Sequence, residues 1–410
     1  MNLLIISQYF WPESFRINDI VRSLSMKGLK IEVLTGKPNY PKGVFYEGYK
    51  LLGIHQERYS NSNILRVPIF PRGSKNSLSL FLNYITYIMS ALLFGSIYYR
   101  KKNFDIIFVY GISPILQAIP ALFIGQIKNV PVIIWVQDLW PDSLEATGYI
   151  KNKFILKLNK FIVSLIYQKA DLLLVQSKAF ISPVKSMAAA TPVVYYPNSV
   201  ENFFYSSANT VVPDIPSLHI GFSILFAGNV GAAQAVEVIV EAAYLLKEKK
   251  DIRIVILGTG SRWDWMNEQV TSRGLTNLFL EGQYPVETMP GLMRKASALL
   301  VSLSDKPIFA ATIPNKIQSY LAVGRPILAC LNGEGARIVE EAQAGLSVPA
   351  EDAVGLASAI LRLYEMPVLD REIMGKNGRN YFKEHFDHDK LIDQLISHFE
   401  SCNKSKKSFQ

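Results

Sequence analysis

The sequence of 410 residues predicts an α/β protein with two doubly wound lobes. Short apolar, β-branched runs alternate with amphipathic segments of helix length, which is the pattern of parallel βα units. Runs such as "DIIFVY" and "PVIIWV" are apolar on both faces, as strands buried inside a parallel sheet are. The chain is too long for one ordinary core, and the alternation stops once and then restarts, so we expect two domains.

The first lobe is predicted over residues 1–200. Its predicted strands are Leu3–Ser7, Ile31–Thr35, Ile64–Val67, Ile106–Tyr110, Val132–Val136, Asp171–Gln176 and Val193–Tyr196. Its predicted helices are Ile17–Lys27, Leu78–Tyr99, Ile115–Lys128 and Lys153–Lys169. Ligands of doubly wound sheets bind outside the carboxyl ends of the strands, so the loops at those ends are the places to look for a site.

A polar, proline-containing stretch ("NSVENFFYSSANTVVPDIPS") interrupts the alternation and predicts an inter-domain linker over residues 201–217. The second lobe is predicted over residues 218–380, with a C-terminal helix and tail over 381–410. Its predicted strands are Phe222–Ala227, Ile252–Leu257, 277–282, Ala298–Ser302 and Pro326–Ala329. Its predicted helices are 234–247, Pro314–Val323, Ala336–Ala342 and further segments from about Asp352 onward.

The net charge of +9 is concentrated in the first half of the chain. Residues 1–200 carry 22 Lys and Arg against 10 Asp and Glu, whereas residues 201–410 carry 21 against 24. A nucleic acid, an anionic membrane surface or an anionic substrate could each explain the excess. No nucleic-acid-binding motif is present, so we expect no nucleic-acid partner. Two cysteines and five histidines offer no disulfide framework and no zinc spacing, which fits a reducing cytoplasm.

Two segments of the first lobe favour contact with a membrane. The start of the chain lacks the basic region of a signal peptide, but Leu78–Tyr99 is a charge-free stretch long enough to span a bilayer. Because it contains Asn83, Thr86 and several Ser and Tyr, we interpret it as a buried or interfacial helix, with a true span as the alternative. Three lysines from Lys153 to Lys160 recur at helical spacing among apolar residues. Such a helix can lie on anionic lipid, although an ordinary solvated helix face would look the same.

Polar side chains follow two predicted strands of the first lobe. Gln137 and Asp138 come directly after "PVIIWV", and Glu13 lies in the loop after the first strand. Carboxylates at the carboxyl ends of buried strands are typical of a site. For the loop of Glu13 and for "TGKPNYPKG", taken alone, a plain surface loop explains the residues equally well.

In the second lobe, glycine-rich turns follow two predicted strands. Gly228, Asn229 and Gly231 belong to "GNVG" between a strand and a helix, and Gly258 begins a weaker version of the same signal, "GTG". Such turns allow close approach of the backbone, and the following helix start offers N–H groups to a phosphate. The spacing differs from GxGxxG, so a nicotinamide dinucleotide is not indicated. An ordinary tight turn is the alternative.

The segment "TIPNKIQSYLAVGRPI" (residues 312–327) predicts an anion site at a helix start. Pro314 opens the first turn, and Asn315 and Lys316 follow within it. A lysine is electrostatically unfavourable at the positive end of a helix dipole, unless an anion binds there as well. A solvated surface lysine is the alternative interpretation.

Six segments in order resemble the family 4 glycosyltransferases of bacterial O-antigen and capsule synthesis, most closely those that transfer N-acetyl-L-fucosamine. These segments are "YFWPESFRINDI", "LTGKPNYPKG", "WVQDLWPDSL", "YPNSV", "LFAGNVGAAQAVE" and "IPNKIQSYLAVGRPI". The resemblance implies a GT-B fold, with two Rossmann-like lobes and a cleft between them, and a retaining mechanism without a catalytic metal or other cofactor. It further implies a UDP-sugar donor, an undecaprenyl-diphosphate-linked glycan acceptor, and a location on the cytoplasmic face of the inner membrane.

The resemblance also assigns roles to residues. Gly228, Asn229 and Gly231 match the loop near the donor phosphates, Gln283 and Tyr284 the loop beside the base, and Ile313 to Lys316 the helix start that holds the diphosphate. Gln137 stands where many relatives have a histidine that touches the donor sugar, and Glu13 lies in the acceptor-side loop.

The sequence departs from the family at two places. Ala311 and Ser319 occupy the positions of a glutamate pair, so Ser319 or the neighbouring Gln318 would have to recognise the ribose. The Arg/Lys pair that often follows the first glycine loop is missing, which leaves Lys316 as the best cation for the departing diphosphate. The next candidates are Arg337 and Lys306.

Two other functions remain open on the sequence. A UDP-sugar 2-epimerase shares this architecture, but it uses carboxylates and histidines inside its cleft, and the five histidines here avoid the candidate loops. A non-catalytic sugar-nucleotide-binding subunit would explain the missing glutamate pair.

Overall fold

The computed structural model describes residues 1–73, 77–143, 152–200, 204–205 and 211–408. The chain divides into two compact units. Unit 1 consists of Met1–Pro197 with Asp389–Gln410, and unit 2 of Asn198–His388. Eight of the 17 residues of the linker predicted over 201–217 lie outside the described residues.

Unit 1 contains a sheet in the order β3-β4-β2-β1-β5-β6-β7-β8, in which only the β3–β4 pair is antiparallel. The strand order reverses between β1 and β5, which is the switch point where doubly wound sheets bind ligands. The strands are β1 Asn2–Ile6, β2 Lys30–Gly36, β3 His55–Tyr59, β4 Ser62–Val67, β5 Ile106–Gly111, β6 Val132–Val136, β7 Leu172–Val175 and β8 Val193–Tyr195.

The helices of unit 1 include a long one that is interrupted by a π-helical turn over Ala91–Gly95. Gly95 lets this helix approach the sheet, because a Cβ there would come within 2.8 Å of the Leu34 side chain. The helices are α1 Arg16–Met26, α2 Ser77–Ser90, α3 Ser96–Tyr99, α4 Ala118–Lys128, α5 Lys153–Lys169 and α6 Ile181–Ala188. In the described part of the chain, Leu78–Tyr99 is the one helix long and apolar enough to cross a membrane, and 28% of its most apolar window is buried.

Unit 2 contains a fully parallel sheet in the order β11-β10-β9-β12-β13-β14, which reverses between β9 and β12. Its strands are β9 Phe222–Ala227, β10 Ile252–Leu257, β11 Leu278–Gly282, β12 Ala298–Ser302, β13 Ile327–Cys330 and β14 Gly345–Val348. Its helices are α7 Pro216–His219, α8 Val236–Leu245, α9 Trp263–Ser272, α10 Met289–Lys295, α11 Pro307–Ala311, α12 Asn315–Val323, α13 Glu334–Glu341, α14 Ala353–Glu365 and α15 Val368–His385.

The last helix, α16 His388–Ser408, packs in the core of unit 1. Phe399 meets Phe108 edge-to-face with ring centroids 5.3 Å apart, and the Tyr196 hydroxyl donates to the Leu391 carbonyl at 2.9 Å. The sequence predicts this helix but not where it packs. Both units have the strand order of a Rossmann fold around the reversal. The predicted pair of doubly wound lobes is therefore confirmed.

Candidate functional site

The glycine turns of unit 2 pack on each other at the carboxyl ends of β9 and β10. Gly228 and Gly258 have φ of +125° and +150°, which non-glycine residues avoid. A Cβ on Gly258 would overlap the Gly228 carbonyl. The Gly228 N–H donates to the Leu257 carbonyl at 2.7 Å. The two turns therefore form one rigid backbone surface beside the switch point.

Asn229 and Gly231 complete this surface. The Asn229 side-chain amide donates to the Gln234 side-chain oxygen at 3.1 Å. A Cβ on Gly231 would come within 2.6 Å of the Asn229 Nδ2 atom, so a side chain here would displace the Asn229 amide. The side-chain amide of Gln234 thus holds the loop together through a hydrogen bond.

Helix α12 starts beside the same turns without a side-chain cap. Pro314 occupies the N-cap position in an extended conformation, Ile313 before it is buried, and exposed Asn315 begins the helix. The first turn contains no acidic residue. Because the first N–H groups of a helix have no intrahelical acceptor, they are available to an anion.

Lys316 projects from this helix start onto the glycine turn. A Cβ built on Gly228 would lie 2.9 Å from Lys316 Cε, and Nζ lies 3.5 Å from the centroid of the Phe226 ring. Among the described residues, no hydrogen-bond acceptor pairs with Nζ. Burial lowers the pKa of Lys316 to about 7. A buried amine without an acceptor next to free helix N–H groups is suited to receive an anion, which would raise its pKa again.

Tyr320 holds α12 in place at the switch point. Its hydroxyl accepts from the Ala227 N–H at 3.2 Å and lies 3.2 Å from the Leu300 carbonyl, to which it donates. One side chain therefore connects α12 with β9 and β12. Sequence reasoning missed Tyr320, although its spacing of four from Lys316 places both on one helix face.

The two residues considered for ribose recognition differ in their surroundings. The Ser319 hydroxyl donates to the Asn315 carbonyl at 3.1 Å, so its oxygen can still accept a hydrogen bond from a ligand. Gln318 is completely buried, and neither amide atom has a partner in the described part of the chain. Gln318 would have to turn outward to reach a ligand.

The remaining donor-side candidates are farther along the sheet edge. Gln283 is exposed and Tyr284 half-buried, directly after β11. The Gly258 N–H donates to the Gly282 carbonyl at 2.7 Å, so this loop adjoins the glycine turns. Arg337, in contrast, is ion-paired with Glu334 at 3.0 Å and also with Glu341. Its charge is already balanced by carboxylates.

In unit 1, Glu13 joins the loops that follow β1 and β2. Its carboxylate accepts from the backbone N–H groups of Asn39 and Tyr40, both at 2.7 Å, and of Phe10 at 3.2 Å. Burial raises the pKa of Glu13 to about 7, although the three donors oppose the shift. These contacts make Glu13 a positioning residue for the two loops.

Asn83 connects α2 to the same edge of the sheet. Its side-chain oxygen accepts from Gln8 Nε2 at 2.7 Å and from the Tyr9 hydroxyl at 3.2 Å, and its amide donates to the Phe70 carbonyl at 2.6 Å. Sequence reasoning noted Asn83 only as unusually polar for a membrane span. A single side-chain amide within an otherwise apolar helix was the sequence feature that could have indicated this contact.

Asp138 joins the loops after β5 and β6. Its Oδ2 atom accepts from the Ser113 N–H at 3.0 Å and from the Ser113 hydroxyl at 2.9 Å. Burial raises the pKa of Asp138, and both bonds from Ser113 oppose the shift. Its neighbour Gln137 is buried and donates its backbone N–H to the Gly111 carbonyl at 3.0 Å. Both residues lie at the carboxyl ends, as the sequence predicts.

Among the described residues, no group of three His, Cys, Asp or Glu side chains is arranged to hold a metal ion.

Comparison with known proteins shows which proteins the second lobe resembles. Residues 221–366 match the family model described as glycosyl transferases group 1. The second lobe is therefore similar to the glycosyltransferases of that group. The chain is also 25% identical over 328 residues to a probable glycosyltransferase, WbjE, of Pseudomonas aeruginosa, covering 77% of this chain and 79% of WbjE. It is 22% identical over 345 residues to WcaI of Escherichia coli K12, a putative colanic acid biosynthesis glycosyl transferase, covering 79% and 82%.

Solved structures place the whole chain in the GT-B fold. Sucrose-phosphate synthase of Thermosynechococcus elongatus is similar with a TM-score of 0.74 at 16% identity, over 98% of this chain and 99% of that one. Anabaena HepE in complex with UDP is similar with a TM-score of 0.69 at 13% identity, over 98% and 100%. At these identities the likeness concerns the fold alone.

Proposed function

We propose that the protein is a retaining glycosyltransferase that moves a sugar from a UDP-sugar to a lipid-linked glycan during synthesis of a surface polysaccharide such as O-antigen or capsule. The observation that carries the proposal is the unpaired Nζ of Lys316 beside the uncapped start of α12 and the Gly228 turn.

The reaction breaks the bond between the sugar C1 and the diphosphate, so negative charge grows on the departing UDP. The backbone N–H groups at the start of α12, beginning with Asn315, and a protonated Lys316 would stabilise the charge on the departing UDP, as an oxyanion hole stabilises an oxyanion. The acceptor hydroxyl would form the new bond at C1 from the same face and pass its proton to the departing phosphate. No covalent sugar–enzyme intermediate is required.

The choice of UDP rests on relatives and on the resemblance. HepE, which shares the fold, was solved with UDP. The Gln283 and Tyr284 loop adjoins Gly258 and is available for the base. N-acetyl-L-fucosamine is the sugar suggested by the resemblance. We also expect transfer without a metal, which turnover in the presence of EDTA tests.

A lipid-linked acceptor requires the enzyme to work at a membrane, and unit 1 has a surface suited to one. One face of α2–α3 packs on the sheet, where the buried Tyr87 hydroxyl donates to the Leu34 carbonyl at 3.3 Å. The opposite face exposes a stripe of apolar side chains at helical spacing. These are Leu78, Phe81, Ile85, Met89, Leu93 and Ile97. Because the helix is tied to the sheet, we favour an interfacial position over a span.

Neighbouring helices extend this stripe. α4 packs against both the π turn and α5. Further exposed apolar side chains on these two helices are Phe123, Ile127, Phe154, Ile155, Leu158, Phe161 and Leu165. The lysines at 153, 157 and 160 are exposed on α5, and Arg100 and Lys101 follow α3. Apolar insertion combined with basic residues fits peripheral binding to an anionic inner leaflet, with undecaprenyl diphosphate as the acceptor anchor.

The decisive test is turnover of a panel of UDP-sugars on membranes that contain short lipid-linked acceptors. Release of UDP that depends on the acceptor, with one sugar added in the donor's own anomeric configuration, is the expected result. Release of a 2-epimer without any acceptor would instead favour the epimerase. Tight binding of donor that stays intact with every acceptor would favour a non-catalytic subunit.

A further inference from the structure

A second group of cations lies at the opposite edge of the unit 2 sheet. Ser297 precedes β12 and Pro326 precedes β13, so both mark the amino ends of the strands, away from the Gly228 turn. A cavity of about 340 Å³ opens there between these strand starts and α15. Four cationic side chains line it: Arg325, Arg371, Lys376 and Arg379.

Close packing of α15 against the end of α12 creates this arrangement. A Cβ on Gly375 would collide with the Gly324 carbonyl, so a glycine is needed where the two segments cross. Arg371 and Arg379 stand one turn before and one turn after Gly375, and therefore on the same helix face. The crossing directs both arginines to the cavity edge.

Backbone and aromatic contacts fix the guanidinium groups. Arg379 donates to the Val323 carbonyl at 2.6 Å, and Arg325 donates through Nε to the Arg294 carbonyl at 2.8 Å. Arg371 lies over the Phe222 ring at 4.9 Å from its centroid. These contacts hold the positive groups in place without neutralising them.

The positive charge of the cavity is poorly balanced. In the described part of the chain, none of the four cations forms an ion pair, and Glu372 is the single carboxylate among the lining residues. Burial lowers the pKa of Arg325; Glu372 opposes the shift, and Arg379 adds to it more weakly. With one carboxylate against four cations, the cavity has positive charge available for an anion.

The chemistry of these side chains selects the class of anion. The guanidinium group of an arginine can donate two parallel hydrogen bonds to two oxygens of one phosphate, and the ammonium group of a lysine adds a compact positive charge. The cavity volume is in the range of small-molecule pockets. The C-terminal end of α12 carries the negative end of the helix dipole, which disfavours an anion in the cavity. More than one cation is therefore needed to bind the anion. Arg379 reduces the effect of the dipole, because its guanidinium donates to the Val323 carbonyl at the end of the helix.

We propose that this cavity, formed by Arg325, Arg371, Lys376 and Arg379, binds a soluble phosphate- or diphosphate-bearing small molecule at a site separate from the Gly228 turn. The proposal does not depend on the transferase reaction. It gives the second lobe two anion sites, one at each end of α12.

Isothermal titration with inorganic pyrophosphate tests the site in a full-length Lys316→Ala chain, which removes the cation of the other site. We expect saturable binding with one pyrophosphate per chain. Adding Arg371→Gln and Arg379→Gln should weaken it by at least about tenfold, as loss of charged phosphate contacts does. Arg362→Gln on α14 removes one positive charge at an exposed position outside the cavity and should leave the affinity unchanged.

Three results would overturn the proposal. One is the absence of saturable binding in the Lys316→Ala chain. Another is equal weakening by Arg362→Gln, which would indicate general attraction to a basic surface. If circular dichroism shows that the double variant does not fold, Lys376→Gln, at an exposed position, is measured in its place. The third contradicting result is then an unchanged pyrophosphate affinity in a folded Lys376→Gln chain.

Discussion

The Cα of Gly228 lies under the side chain of Lys316, so close that a methyl group on Gly228 would come within 2.9 Å of Lys316 Cε. The glycine that follows β9 and the lysine in the first turn of α12 therefore depend on each other. The glycine leaves room for the aliphatic part of the lysine, and the lysine places its amine over the Phe226 ring beside the free helix N–H groups. The proposed donor site rests on this pair.

Gly228→Ala should impair the transferase by displacing Lys316. We expect turnover to fall by about tenfold or more, since small misplacements of a stabilising group reduce rates strongly. Gly274→Ala is the control for a positive φ (+60°) with open space around the Cβ position, although Ala avoids the φ of +125° at Gly228 more strongly, so strain adds to the displacement of Lys316. Equal losses of turnover in the two variants would mean that backbone strain, and not Lys316, is responsible.

Binding of UDP should take up a proton above pH 7. Burial lowers the pKa of Lys316 to about 7 in the free protein, so the amine is mostly neutral at pH 8. A bound diphosphate favours the charged form and raises this pKa. UDP affinity should therefore fall as pH rises above 7. Calorimetry of UDP binding at pH 8, in buffers of different ionisation enthalpy, measures the number of protons taken up. This proton uptake should vanish in Lys316→Met. Proton uptake that persists in Lys316→Met would mean that another group takes up the proton.

Glu13→Gln should destabilise unit 1. In the wild-type protein the Glu13 carboxylate accepts hydrogen bonds from backbone N–H groups on both of its oxygens. The glutamine side chain replaces one of these oxygens by an NH2 group, which cannot accept. A buried N–H group left without an acceptor lowers the free energy of unfolding by about 1–3 kcal/mol. Urea unfolding followed by circular dichroism measures the difference. Glu47→Gln, at an exposed position, is the control and should change stability little. A Glu13→Gln protein as stable as wild type would argue against the positioning role.

Charges on the apolar stripe should weaken membrane binding. Met89 and Phe161 are each 60% exposed, so Met89→Glu with Phe161→Glu should leave the fold intact. Co-sedimentation with vesicles rich in phosphatidylglycerol should show about a tenfold loss or more, since burial of one large apolar side chain contributes about 1.5–3 kcal/mol. Val354→Glu on α14 is the exposed control. Unchanged sedimentation of the double variant would place the membrane contact elsewhere.

The sequence predicted the sheets well because their strands are buried and apolar on both faces. The strand β3 was missed for the opposite reason, since His55–Tyr59 is a polar edge strand. The strand β14 was missed because Gly345–Val348 is a half-buried edge strand that contains Gly and Ser and forms no continuous apolar run. The packing of α16 on unit 1 depends on contacts nearly 200 residues apart along the chain, such as Tyr196 to Leu391, and no local pattern encodes them.

The site was predictable as a set of loops but not as a set of contacts. Strand ends predicted that Glu13 and Asp138 lie at the carboxyl edge of the unit 1 sheet and Gly228 at that of the unit 2 sheet, because the parallel strands of a sheet bring their carboxyl ends to one edge. The contact of Lys316 with Phe226, the burial of Gln318 and the bonds of Tyr320 follow from the docking of α12 on the sheet. That docking is a property of the folded lobe.

The role of Lys316 is tested by the turnover of Lys316→Ala with a UDP-sugar and a lipid-linked acceptor, beside Lys249→Ala, which removes an exposed lysine of the same lobe. Thermal unfolding establishes that both variants fold. We predict a loss of about 100-fold or more in Lys316→Ala, the scale of losing one group that stabilises the departing charge, and wild-type turnover in the control. Near-normal turnover in a folded Lys316→Ala protein would contradict this role.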